Sequence, residues 1–165
     1  MAKEFKGFGK APSRRQSKNA INAIDRSFDN LRRNVARNYG DDVTLLMNPN
    51  QAAKMSEVLE NFVSPYMDVT ESKEELQVLF SMGMSAWNIA LEPVAERAEI
   101  IEKFVDKVFR TQSAKSREVG KNFILELIDR KNKSFANNQR RIISFDLDYI
   151  SVGEYHISVA STMPS

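Results

Sequence analysis

Cysteine is absent from this chain of 165 residues, and histidine occurs once, at His156. The first absence excludes disulfides, thiolate metal sites and cysteine nucleophiles, and it fits a reducing compartment, so a cytoplasmic setting is expected. The second excludes His-rich zinc sites and His–His acid–base pairs, which leaves carboxylates as the main source of reactive groups. Long hydrophobic runs are missing as well. The most apolar stretch, Leu76–Leu91, is interrupted by Gln77, Ser81, Ser85 and Asn88, short of the roughly 18 unbroken apolar residues of a membrane span. The first twenty residues offer only Met1, Phe5 and Phe8 as large apolar side chains, so no secretory leader is expected. Gly7-Phe8-Gly9-Lys10 is too short for a phosphate-binding loop and follows no strand. With no nucleophile–base pair in view, the chain is expected not to be an enzyme and to bind no metal and no cofactor.

What is present is a division of charge. Residues 1–40 hold ten Lys/Arg and three Asp/Glu, a net of +7, leaving 14 basic and 19 acidic groups, a net of −5, in the rest. The total of +2 conceals two parts of opposite sign. A basic arm on a mildly acidic body implies an anionic partner or an arm that folds back onto its own body.

The hydrophobic fraction of 42% and the length suit one folded domain with a short tail. Residues 1–16 combine Gly7, Gly9, Pro12 and several charges without periodicity, and are read as a disordered basic arm. Residues 17–162 are read as a single helical domain. Its first helix, roughly Ser17–Tyr39, carries Ile21, Ile24, Phe28, Leu31 and Val35 as one stripe. Asn48-Pro49 reads as the cap and first residue of a second helix reaching Ser64, where Pro65 stops or kinks it. Ser72-Lys73-Glu74-Glu75 is a capping box opening a third helix that is apolar almost all round, which places it at the centre of a bundle. Gly83 within it predicts the close approach of a neighbouring helix. A fourth helix, from Pro93 to Arg110, turns Val94, Ile100, Ile101, Phe104, Val105 and Val108 inward, and a fifth, Ser113 to Lys133, does so with Val119, Phe123, Ile124, Leu127 and Ile128.

The period then changes from 3.6 to 2. Ile143, Phe145, Leu147 and Tyr149 alternate with polar residues, as do Tyr155, Ile157 and Val159, which predicts a hairpin over about 141–162. A loop at Ser151–Gly153 pairs Tyr149 with Tyr155 and gives one clean apolar face, with Gly153 in the left-handed region. The fold class expected is therefore mainly α: a bundle of about five helices with a C-terminal β-hairpin laid over one side.

Two side-chain groupings bear on function. The hairpin register sets Asp148 opposite His156, with Asp146 and Ser158 one step along. The grouping is read chiefly as a solvated strand face with a weak cross-strand ion pair, and alternatively as a cation or acid–base site. The basic residues Lys10, Arg14, Arg15, Lys18, Arg26, Arg33 and Arg37 form the candidate binding set for an anionic partner, either nucleic acid or an acidic protein surface. A second cluster, Arg130, Lys131, Lys133, Arg140 and Arg141, would join them in one patch if the two meet in space. The expected function is that of a non-catalytic binding or adaptor protein working through the basic arm and first helix. The alternative is a self-associating scaffold or assembly subunit, a homo-oligomer formed through the edge of the hairpin. No membrane partner is expected, because the apolar stripe of the first helix has the spacing of a bundle core.

Overall fold

The computed structural model describes residues 14–42, 45, 53–151 and 153–163, the first eleven of them by backbone alone. The fold is mainly α, with five α-helices and a two-stranded antiparallel C-terminal hairpin. In chain order these are α1 (Arg14–Tyr39), α2 (Met55–Val63), a 3-10 helix (Ser64–Val69), α3 (Lys73–Ala90), α4 (Val94–Val108), α5 (Ala114–Ser134), β1 (Ile142–Ser151) and β2 (Glu154–Ser161). Residues 1–13 of the expected disordered arm, Lys10 among them, lie outside the described residues. Residues 14–16 do not belong to that arm, because α1 already includes them.

The core is built around α3, as its apolar sequence requires. Leu76, Leu79, Phe80, Met82, Ala86, Trp87, Ile89 and Ala90 are buried, and Trp87 and Phe80 are fully inaccessible. Met82 and Trp87 thus serve the core as packing. A narrow polar stripe nevertheless survives on this helix. The Ser81 hydroxyl donates to the Gln77 carbonyl (2.8 Å) and that of Ser85 to the Ser81 carbonyl (3.0 Å), so the stripe satisfies itself along the helix. The helix opens as expected: Ser72 accepts from the Glu75 amide at 3.1 Å, while the Glu75 carboxylate accepts from the Glu71 amide at 2.7 Å. At its other end Arg97 reaches back from α4 and donates to the carbonyls of Ala90 (2.7 Å) and Glu92 (2.8 Å), satisfying groups that a helix C-terminus leaves open.

Gly83 is where α2 comes closest. A Cβ there would stand 2.5 Å from Cγ1 of the fully buried Val63. An aromatic triad lies one helical turn further along the same face. Phe62, Trp87 and Phe135 meet edge to face with centroids 5.4, 5.5 and 5.7 Å apart, and the Lys131 ammonium sits 4.4 Å above the Trp87 ring.

Several boundaries and faces depart from the sequence reading. The second helix begins at Met55, Ala53 and Lys54 before it are not helical, and the expected cap Asn48-Pro49 lies outside the described residues. Its end is as expected: the α-helix closes at Val63, capped by Ser64, and the chain then tightens into the 3-10 helix with Pro65 in its first turn, where a missing amide costs nothing. Val94 (76% exposed), Val108 and Val119 face outward rather than into the core. Val94 stands at the first position of its helix and Val108 at the last, where few neighbours can cover a side chain.

The hairpin has the expected register: Phe145↔Val159, Leu147↔Ile157, Asp148↔His156 and Tyr149↔Tyr155, with Gly153 at φ 77°. The ladder closes one step further, at Ser151↔Glu154, after a bulge at Ile150. A second bulge between Ile142 and Ser144 swaps the faces at the start of β1. Ile142, only 1% exposed, enters the main core there, and Ile143 turns to the opposite side.

That opposite side is where α1 lies. The first helix is not part of the bundle. It packs across both strands on the hairpin face away from α2–α5, and its Leu31 and Val35 form a separate small cluster with Ala160, Ile143 and Leu45. The molecule thus has three layers: α1, the hairpin, and the four helices α2–α5. Both faces of the hairpin are covered, and a helix with an apolar stripe satisfies either position equally well.

Two outcomes test this packing. Trp87→Ala is expected to lower unfolding free energy by about 3–5 kcal/mol, read from urea melts. Gly83→Ala is expected to destabilise by about 1–3 kcal/mol through overpacking, although alanine is the better helix former by about 1 kcal/mol. That cost should shrink in a Val63→Ala background, where the clash is gone, and an additive double mutant would refute the close approach.

Candidate functional site

The basic residues divide into those the fold consumes and those it leaves to solvent. The C-terminal cluster is consumed. Arg130 donates to the carbonyls of Phe62 (2.9 Å) and Asn61 (3.1 Å), and Arg140 to those of Ala53 (2.9 Å) and Thr162 (3.1 Å). Arg141 pairs with Glu92, and Lys133 with Asp129 at 2.7 Å. Lys131 is buried, with 2% of its surface exposed, and its ammonium donates to the Phe135 carbonyl at 2.8 Å. Burial first, and the Arg97 charge second, hold its pKa below the usual lysine value. Apart from Lys133, whose exposed pair lies within α5, the expected second basic cluster therefore braces the end of α5 and the strand entry against α2 and the turn between α3 and α4.

The cluster on α1 has the opposite character. Arg26, Arg32, Arg33 and Arg37 are exposed. Arg26 donates to Asp148 at 3.0 Å and Arg33 to the neighbouring Asn30, while Arg32 and Arg37 have no ion pair among the described residues. At about 100° per residue, positions 14, 15, 18, 26, 32, 33 and 37 all fall within an arc of roughly 140° on this helix. The buried Ser27, Leu31 and Val35 lie on the opposite arc. The acidic positions Asp25 and Asp29 fall among the basic ones, so the arc carries seven basic residues and two acidic ones. Of the candidate set, the six members on α1 share this arc and Lys10 lies outside the described residues.

Beneath α1 runs a polar seam that the sequence assigned to solvent. The Asp146, Asp148, His156 and Ser158 face of the hairpin is covered, not solvated, because α1 rests on it. Ser27, fully buried, donates its hydroxyl to the Asp146 carbonyl at 3.1 Å. The carboxylate oxygen Asp146 Oδ2 is buried and has no hydrogen-bond partner among the described residues. His156 is half-buried with Nε2 3.3 Å from the Ser158 hydroxyl. Burial lowers its pKa more than the Asp148 and Asp146 carboxylates raise it, so the ring favours the neutral form. Among the described residues no group of three or more His, Asp or Glu could hold a metal ion.

On the other face of the hairpin, the Tyr155 hydroxyl hydrogen-bonds the half-buried Glu60 of α2. Burial raises both pKa values, and the bond to Tyr155 partly offsets the rise at Glu60. Ser27 is the residue that sequence reasoning missed. Its signal was a small polar side chain on the otherwise apolar arc of the first helix, where a close backbone neighbour fits.

Comparison with protein-family models, with curated proteins and with solved structures finds no match to this chain. Among the described residues no helix is long and apolar enough to cross a membrane.

The seam makes a pH prediction. The folded pKa of His156 lies below the unfolded value of about 6.5, so the unfolded chain binds more protons as pH falls through that window. The contribution is therefore complete above about pH 6.5 and is lost progressively below it. Melting temperature is expected to drop between about pH 7 and pH 5, and His156→Gln to flatten that slope. An unchanged slope in the variant would assign the acid sensitivity elsewhere.

Proposed function

We propose that this is a non-catalytic binding protein that holds an extended polyanion, nucleic acid in the first instance, along the outer arc of α1, with the basic residues of the arm adding contacts. The observation that carries the reading is the contrast between the two basic clusters. The arginines of the C-terminal cluster are spent on carbonyls and carboxylates, whereas Arg32, Arg33 and Arg37 face solvent without a carboxylate partner among the described residues. A helix of 26 residues extends about 39 Å at 1.5 Å per residue. A row of cations on that scale follows a phosphate backbone without reading sequence. The cysteine-free composition fits a cytoplasmic setting for such a role.

A second reading rests on a different observation. The sheet has only two strands, so neither outer edge has a strand partner among the described residues, and such edges pair readily with another chain. In that reading the protein is a self-associating scaffold, and sedimentation would show a concentration-dependent oligomer that charge reversal on the hairpin edge abolishes.

Fluorescence anisotropy with labelled single- and double-stranded oligonucleotides separates the two. Binding is expected to weaken steeply with salt, and Arg32→Ala/Arg33→Ala/Arg37→Ala to lower the log–log salt slope by about 2–3 with no change in melting temperature. No binding at low salt would remove nucleic acid as the partner and leave an acidic protein surface.

A further inference from the structure

The basic arc of α1 ends beside an aromatic ring in water. Tyr39, the last residue of the helix, is 57% exposed. Among the described residues it is the one exposed aromatic side chain, every other being packed at least in part. Its hydroxyl makes no hydrogen bond and its ring no ring contact among those residues, and it belongs to neither hydrophobic cluster. Aromatic side chains stabilise a fold through the area they bury, so this fold gains little from a ring at this position.

The position has a definite relation to the arginines. At about 100° and 1.5 Å per residue, Tyr39 stands about 20° from Arg32 around the helix and about 10 Å beyond it along the axis. The ring thus continues the line of Arg32 at one margin of the basic arc, and Arg32 is exposed without an ion pair among the described residues. Beyond the ring the sign of the charge changes. Arg37 is the last cation, and Asp41 and Asp42 follow the helix directly, both exposed. The C-terminus of a helix is also the negative end of its dipole. A phosphate is therefore favoured at Arg32 and opposed at residues 41 and 42. The part of a nucleotide suited to Tyr39 is the part without charge, the base.

We propose that the polyanion held along α1 is single-stranded nucleic acid, and that Tyr39 stacks on one of its unpaired bases while Arg32 holds the phosphate backbone leading to it. The proposal rests on the polyanion reading and narrows it to one class of ligand. A duplex turns its phosphates outward and keeps its base faces stacked within, so it meets the arginines but offers the ring no face. A single strand can splay a base onto an exposed aromatic, and such stacking tolerates any sequence because every base has a π-face.

The test is fluorescence anisotropy of the full chain with labelled oligodeoxythymidylate of about 16 nucleotides, within the range of a single-strand site, and with a duplex of the same length. Tyr39→Ala is expected to weaken single-strand binding by about 5- to 100-fold, the effect of losing one stacked base. Tyr39→Phe, which keeps the ring, should change it by less than about twofold. The log–log salt slope should be the same in both variants, because the ring neutralises no phosphate; the arginine variants lower it. Duplex binding and melting temperature should not move. Single-strand affinity unchanged by Tyr39→Ala would overturn the proposal and leave the polyanion reading standing. An equal loss on duplex and single strand would also overturn it, assigning Tyr39 to the shape of the helix end. Binding of neither oligomer by the wild-type chain would remove the polyanion reading itself, and this proposal with it, so the two failures are told apart.

Discussion

Two consecutive residues of α3 hold the layers of this molecule together. The Trp87 indole donates to the Arg140 carbonyl at 2.8 Å, and the Asn88 amide donates to the Ile142 carbonyl at 2.8 Å while accepting from the Ile142 amide at 2.9 Å. Asn88 thereby does for the first residue of β1 what a neighbouring strand would do. An isolated hairpin is marginal in water. Here it is fixed at its root by side chains of the most buried helix and spread over the core by Phe145, Leu147, Tyr155 and Ile157. Only a hairpin held in this way can offer its second face as a platform, and α1 uses that face.

Attachment of the outer layer is of a different kind. Among the described side chains of α1, Leu31 and Val35 are the buried apolar ones, each contributing about 1.5–3 kcal/mol. The rest is the seam of Ser27, Asp146, Asp148, Arg26 and His156. The Arg26–Asp148 pair, with the arginine 59% exposed, contributes at most about 1 kcal/mol. By contrast the bundle is closed by an aromatic triad and by arginines bonded to carbonyls.

Much of this architecture is legible in the sequence, and the illegible part has physical causes. Ser72, Ser113 and the 3.6-residue stripes locate α3 and α5, and the alternation of Phe145, Leu147 and Tyr149 with Asp146 and Asp148 fixes the register of the hairpin. The stripe of α1 is visible too, but an apolar stripe does not say what covers it. A strand face bearing two aspartates and a histidine looks like a solvated one until Ser27 and Arg26 are seen to match it. Nor does the sequence separate Arg130 and Arg140, which are committed to carbonyls, from Arg32 and Arg37, which face water, since the difference lies in contacts 68 to 87 residues distant, from Arg130 to Phe62 and Asn61 and from Arg140 to Ala53. That the six candidate residues on α1 share one arc follows from helical phase, which is a local property.

The position of α1 has a consequence for how the chain is made. The helix is the first described element to leave the ribosome, yet its partners at Asp146 and Asp148 come 119 and 122 residues later. Residues up to Ala86 and Trp87 can begin to condense among themselves, but α1 has no surface to rest on until both strands have emerged. Throughout synthesis it is a basic, amphipathic helix without its platform, while the ribosome that produces it is itself densely anionic. Contacts of such long sequence separation also form late in folding. A helix made before its platform thus waits for the last two strands to find its place.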